Sequence, residues 1–217
     1  MKSKPSLIYI FDPLCTWSYG FHPVIMKLAE RFKDRFDTEV VCGGLAVGEQ
    51  AQPVRDGFPQ LEQEIKQVEK ITGTLFGDNF KMLLHEGSYL FDSLPPSKAI
   101  TAAGELIPES AIHFGVKIQQ SLFRDGKNLN EPETYFELIE EFDAETDRFL
   151  KLFNSKDIAN KTTDQFEWCR NRDLLRFPTL LLRLGDETGT IAKGYRPYET
   201  LESHLHHLLN NIERLQD

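Results

Sequence analysis

The sequence predicts an α/β fold: a four-stranded mixed sheet made from an N-terminal βαβ unit and a C-terminal ββα unit, with an all-helical segment inserted between them. Three observations predict it. Short, apolar, β-rich runs at residues 6–11 and 38–42 flank one amphipathic helical stretch. Residues 51–154 carry helical patterns punctuated by glycine and proline, with no strand-like run. Two further apolar runs, at 179–184 and 190–194, flank a glycine-bounded turn ahead of a last helical stretch. The sheet-bearing domain is therefore 1–50 together with 155–217, and the helical insertion domain is 51–154.

SLIYIF at 6–11 is unbroken, the pattern of a strand buried on both faces. From 18 to 36 the spacing turns helical: Phe21, Ile25, Leu28, Ala29 and Phe32 share a side, and Pro23 predicts a kink. TEVVC at 38–42 is a second buried strand, stopped by Gly43-Gly44. Strand, helix and strand in that order make the two strands parallel with a right-handed crossover. The middle predicts helices over 61–71, 77–85, 96–106, 110–123, 131–142 and 147–153, with Pro96 and Pro132 at helix starts. Residues 131–147 hold eight acidic residues and no basic one. Tyr135, Leu138, Ile139 and Phe142 give that stretch an apolar stripe, so its acids read as a solvated face rather than a docking site. Residues 157–173 form another helix, ending before Phe177-Pro178. The runs at 179–184 and 190–194 predict an antiparallel hairpin around a turn at 185–189, and a closing helix runs from 197 or 198 to Leu215.

The chain has 217 residues, 40% of them hydrophobic, enough to bury a sizeable core. Its 25 basic and 34 acidic residues leave a net charge of −9 with no basic run, which excludes a phosphate-backbone partner; no nucleic acid is expected. No stretch approaches the roughly 18 apolar residues of a membrane span, so no membrane association is expected. The start, MKSKPSLIYIFD, is cut short by Asp12 and has no small-residue cleavage site; it reads as a first strand, not a signal peptide. Cys15, Cys42 and Cys169 are too few and too scattered for a disulfide framework, which favours a reducing compartment, the cytoplasm. Of His204, His206 and His207 only the first and last share a helix face, and no partners complete a tetrahedral set, so no metal is expected. No nicotinamide or flavin fingerprint is present, and no bound cofactor is expected.

The chemistry points to DPLCTWSYGF at 12–21. Cys15 follows a strand and precedes a helix. The unpaired N–H groups and dipole of that helix's first turn favour a thiolate, which predicts a pKa below the free value of about 8.5. The Ser18 hydroxyl is placed to donate back to the sulfur. The turn lies beyond the carboxyl end of a parallel strand, where α/β sheets build crevices. The bland alternative is an inert buried cysteine packing as a small apolar residue. Trp17 and Tyr19 fit either a groove lining or the core; His22, one turn after Ser18, is placed to tune the thiol, but reads rather as a core-edge or solvent-facing histidine. In LLRFPTLLLR at 174–183, Pro178 suits the first position of a strand, with a trans bond as the default.

Asp12-Pro13-x-Cys15-x-Trp17-Ser18-Tyr19-Gly20-Phe21 resembles the active-site turn of the DsbA-like branch of the thioredoxin superfamily, and more narrowly its FrnE-like disulfide isomerases. Arg176-Phe177-Pro178-Thr179-Leu180 resembles the superfamily's cis-proline loop, and Gly43-Gly44-Leu45 and Pro23 fit the same branch. The resemblance implies a thioredoxin-like fold with a helical insertion. It implies that Cys15 is the nucleophile, that Pro178 is cis and faces it, and that Phe177 pairs through its backbone with an extended substrate. Trp17 and Thr179 complete the implied substrate contacts. Ser18 departs from the pattern, which has a resolving cysteine there. A serine cannot attack a mixed disulfide, so the motif cannot store two oxidising equivalents. What it leaves is monothiol exchange on protein or peptide disulfides, with Cys15 and Ser18 as the catalytic pair and glutathione or a substrate thiol as the resolving group. Two alternatives stand beside it: a non-catalytic peptide-binding adaptor, and a glutathione-dependent transferase or isomerase of the kappa-class type. Cys42 and Cys169 read as core.

Overall fold

The computed structural model describes residues 4–214. It opens with strand β1 (Ser6–Phe11), followed by helices α1 (Thr16–Gly20) and α2 (His22–Arg31) and strand β2 (Asp37–Cys42). The single kinked helix expected over 18–36 is two helices. Pro23 has no N–H to extend a ladder through Phe21, whose own N–H is shared between the Trp17 and Ser18 carbonyls. The first helix also begins earlier than expected, at Thr16, and the second stops at Arg31, after which a turn closes through Phe36 N–H to Phe32 C=O.

The middle holds β3 (Gln52–Pro53), α3 (Val54–Gly57), α4 (Leu61–Thr72), α5 (Asp78–Glu86), β4 (Leu90–Phe91), α6 (Leu94–Leu106), α7 (Ala111–Phe123), α8 (Glu133–Glu140) and α9 (Thr146–Phe153). The expectation of a strand-free segment is corrected by the β3–β4 pair, whose antiparallel ladder is only two residues long and too short to carry a periodic pattern. The eight acids of 131–147 are all exposed, while Tyr135, Leu138 and Ile139 are buried.

The chain then returns to the sheet through α10 (Lys156–Asn171), β5 (Thr179–Leu184), β6 (Glu187–Lys193) and α11 (Tyr198–Arg214). The turn between β5 and β6 is tighter than the sequence pattern indicates: Leu184 pairs with Glu187 across Gly185-Asp186, and Gly185 has φ +60°. The expected end of the last helix, Leu215, lies outside the described residues.

The sheet order is β2-β1-β5-β6, with β1 and β2 parallel and the other pairs antiparallel. Central β1 is buried on both faces. Leu7, Tyr9 and Phe11 join a large core that continues into the helical segment through Ile100, Phe114 and Phe123. Ile8 and Ile10 face the other way, into a smaller cluster with Cys15, Cys169, Leu174, Phe177 and Leu181. This alternation is what places the carboxyl end of β1 and the start of β5 side by side.

Candidate active site

β1 ends at Phe11, and Asp12 turns the chain out of the sheet while its own carboxylate stays fully buried. Asp12 Oδ1 accepts from Leu14 N–H at 2.9 Å and from Ser93 Oγ at 2.9 Å; Oδ2 accepts from Leu45 N–H at 2.7 Å. One carboxylate thus ties the turn after β1, the loop after β2 and the start of α6. Burial raises its pKa, and the N–H groups of Leu45 and Leu14 and the Ser93 hydroxyl work against that rise.

Cys15 is the N-cap of α1, with extended backbone, and is 8% exposed. Its thiol donates to the Phe177 carbonyl at 3.8 Å. The Phe177–Pro178 bond is cis, and Thr179 closes that loop by donating its hydroxyl to Arg176 C=O at 2.6 Å. Phe177 lies over Gly43 so tightly that a Cβ there would stand 2.0 Å from its ring, which is why the loop after β2 begins with glycine. Ser18 is fully buried one turn along α1, and its Oγ has no hydrogen-bond partner. Cys15, Ser18, Phe177, Pro178 and Thr179 are therefore brought together. Trp17 is half-buried beside them and packs on Tyr195, ring centroids 6.4 Å apart.

Burial pushes the Cys15 thiol up to about 12. Donation to the ionised sulfur by the Ser18 hydroxyl, unpartnered beside the neutral thiol, and by the Ser18 backbone N–H pulls it down by less than burial raises it, and the charges of Asp12 and Glu64 add to the rise. This reverses the sequence expectation of a depressed pKa. The helix start is where the sequence puts it, but five residues of helix do not outweigh the loss of solvent around the sulfur.

Gln119 and His22 are functional-site residues that sequence reasoning did not assign. Gln119, buried on α7, donates through Nε2 to the carbonyls of Asp12 (2.9 Å), Pro13 (3.3 Å) and Cys15 (3.3 Å). Its Oε1 accepts from His22 Nε2. Burial lowers His22 to about pKa 4, so the ring is neutral and a donor at neutral pH. The reading of His22 as a core-edge or solvent-facing side chain is thereby corrected: it is buried and supports the turn through Gln119.

All three cysteines are free and buried. Cys42 donates to Ser97 C=O at 4.0 Å and belongs to the large core, on the opposite face of the sheet from Cys15. Cys169 donates to Cys42 C=O at 4.0 Å, and burial pushes it up to about 12. Beside Phe177 a cavity of about 520 Å³ opens between Leu45, Val47, Arg170 and Leu175; Leu175 is 49% exposed. Among the described residues, no group of three or more His, Cys, Asp or Glu side chains is placed to hold a metal ion, and no helix is long and apolar enough to cross a membrane.

A helix-capping cysteine set against a cis-proline loop at the carboxyl end of a central strand defines a thioredoxin-fold protein, and residues 9–203 match the family model described as Thioredoxin. The chain belongs to that family. A structure from Nitrosomonas europaea, assigned provisionally to the protein disulfide isomerases, superposes with a TM-score of 0.85 at 23% identity, covering 96% of this chain and 99% of that one. The cytosolic disulfide reductase DsbM of Pseudomonas aeruginosa, solved with GSH, superposes with a TM-score of 0.77 at 24% identity, covering 94% and 99%. These likenesses are of fold alone. The ClpXP adapter protein SpxH of Halalkalibacterium halodurans is 27% identical over 208 residues; the match covers 91% of this chain and 65% of that protein's length.

Proposed function

We propose that this chain performs thiol–disulfide exchange through Cys15 alone, on protein or peptide disulfides, with glutathione or a second substrate thiol as the resolving group. The observation that carries the reading is the arrangement around one sulfur. The Cys15 thiol donates a hydrogen bond to the Phe177 carbonyl, while the Ser18 hydroxyl lies one turn along the helix with no partner. An extended substrate pairing with Phe177 brings its own N–H to that carbonyl, as a peptide adds to a strand edge. The thiol then loses its acceptor, and the Ser18 hydroxyl is the donor at hand for the thiolate. Cys15 releases its proton, its thiolate attacks a substrate disulfide, the S–S bond breaks as the mixed disulfide forms, and the other substrate sulfur leaves as a thiolate that takes up a proton in turn. An incoming thiolate then attacks the substrate sulfur of the mixed disulfide and expels Cys15. Ser18 cannot take that second role, so the motif has no disulfide form in which to hold two oxidising equivalents. The chemistry suits a reducing, cytoplasmic setting, in keeping with three free cysteines.

The test uses a glutathionylated cysteine peptide with excess glutathione. The wild-type chain speeds release of the peptide thiol, and Cys15→Ala leaves the rate at that of buffer. Equal rates for the two proteins overturn the reading. A second reading is supported by the raised pKa of Cys15 and by the likeness to the adapter SpxH: the groove binds a protein partner and the thiol takes no part. It predicts partner binding unchanged in Cys15→Ala and no mixed disulfide with the partner.

A further inference from the structure

β2 is an edge strand, and its outer side faces a groove rather than open solvent. Asp37 N–H donates to Pro5 C=O at 2.9 Å and Gly43 N–H to Phe11 C=O at 2.8 Å, so the odd positions of β2 turn toward β1. Strand geometry then turns the even positions outward. Cys42 shows this directly: its N–H donates to Gln165 Oε1 at 2.8 Å, and its carbonyl accepts from Cys169 at 4.0 Å. Gln165 closes that end of the edge. Thr38 and Val40, in the same phase, present their N–H and C=O groups to the groove.

The groove is about 510 Å³, walled by α6 and α10, with Val40, Ile100, Gly104 and Trp168 among its lining. The size falls within the roughly 300–1,000 Å³ of ligand-holding pockets. Charged residues lining it are three carboxylates, Glu39, Glu105 and Asp164, against one ammonium, Lys161. Glu39 pairs with Arg183 and Glu105 with Lys161, which leaves Asp164 without an ion pair among the described residues. The other edge, β6, has its residues 187–190 exposed.

We propose that the open edge of β2 binds an extended, cationic peptide segment of a partner protein by strand addition at Thr38 and Val40. Alternate residues of the segment fill the apolar lining, and its basic residues meet Asp164. The site is separate from Cys15 and does not depend on the thiol.

The test is amide hydrogen exchange with the peptide acetyl-Lys-Val-Lys-Val-Lys-amide. The peptide slows exchange at Thr38 and Val40 about tenfold or more and leaves Cys42, already bonded, unchanged. Gly104→Phe fills the groove, since a Cβ at Gly104 meets nothing within 4 Å, and it abolishes the protection. Asp164→Lys, an exposed change that leaves the fold alone, weakens peptide binding. Cys15→Ala retains the full effect, which separates this site from the thiol reading. The proposal is overturned by absence of protection at millimolar peptide, by protection that survives both groove variants, or by concentration-dependent protection without peptide, which would make a second copy of the chain the occupant.

Discussion

At Cys15 two effects of opposite sign meet, and their sizes decide the chemistry. The helix start and Ser18 favour the thiolate; burial favours the thiol and prevails. The closed site therefore keeps its sulfur protonated and hydrogen-bonded to Phe177 C=O. Ser18 marks the cost of this resting state, since a buried hydroxyl without a partner is worth about 1–3 kcal/mol of lost solvation. Ser18→Ala removes that orphan, so the variant is expected to unfold at the same or a higher temperature while its exchange rate drops. A lower rate without loss of stability, measured by thermal unfolding beside the peptide assay, separates a catalytic role from a packing one. His22 gives a second prediction at this scale. Its folded pKa of about 4 lies below the value of about 6.5 in the unfolded chain, so the unfolded state binds the extra proton between them. Its contribution to stability is full above about pH 6.5 and is lost as pH falls toward 4, on the order of 3 kcal/mol in all. Denaturant melts of wild type and His22→Gln across that range test it: the variant is expected to show the smaller loss.

At the level of elements, the loop after β2 and the loop before β5 are fitted to one another. Phe177 can cover Cys15 only because Gly43 has no side chain. Gly43→Ala is expected to cost about 1–3 kcal/mol, the range for overpacking, and to lower exchange activity by moving the Phe177 carbonyl. Unaltered melting and unaltered activity would contradict the fit. These local partners were unevenly legible in the sequence. Cys15 and Ser18 sit in one continuous motif, and Phe177, Pro178 and Thr179 in another; each carries its meaning within ten residues. Asp12 is part of the first motif, yet its binding of Leu45 and Ser93 spans 33 and 81 positions. Gln119 reaches the turn across 104 to 107 positions, from the middle of a helix where a polar side chain looks like part of a wet face. No periodicity records such a contact. The same limit explains the thiol: sequence shows where a helix starts, and burial is a property of everything packed over it.

Taken whole, the molecule does not divide energetically where its composition does. Phe11 on β1 and Phe114 on α7 belong to one continuous core, and Gly115 brings α7 so close that an added Cβ would lie 2.8 Å from the Phe11 ring. The helical segment also supplies Gln119 and Ser93 to the turn that carries Cys15. Phe114→Ala, a fully buried site, is expected to cost about 3–5 kcal/mol and to lower the denaturant midpoint of sheet and helices together. Separate transitions would show instead that the segment folds by itself. Fold, turn and segment converge on a single sulfur held as a thiol until a strand-like ligand takes its acceptor. The measurement that tests this most directly is the pH dependence of Cys15 alkylation, with Cys42 and Cys169 replaced by Ala, in the absence and presence of an extended peptide bearing Ser in place of its cysteine. The account predicts a midpoint well above the free-thiol value of about 8.5 without the peptide and a lower midpoint with it. A midpoint at or below the free value in the unliganded protein, or one that the bound peptide leaves in place, contradicts it.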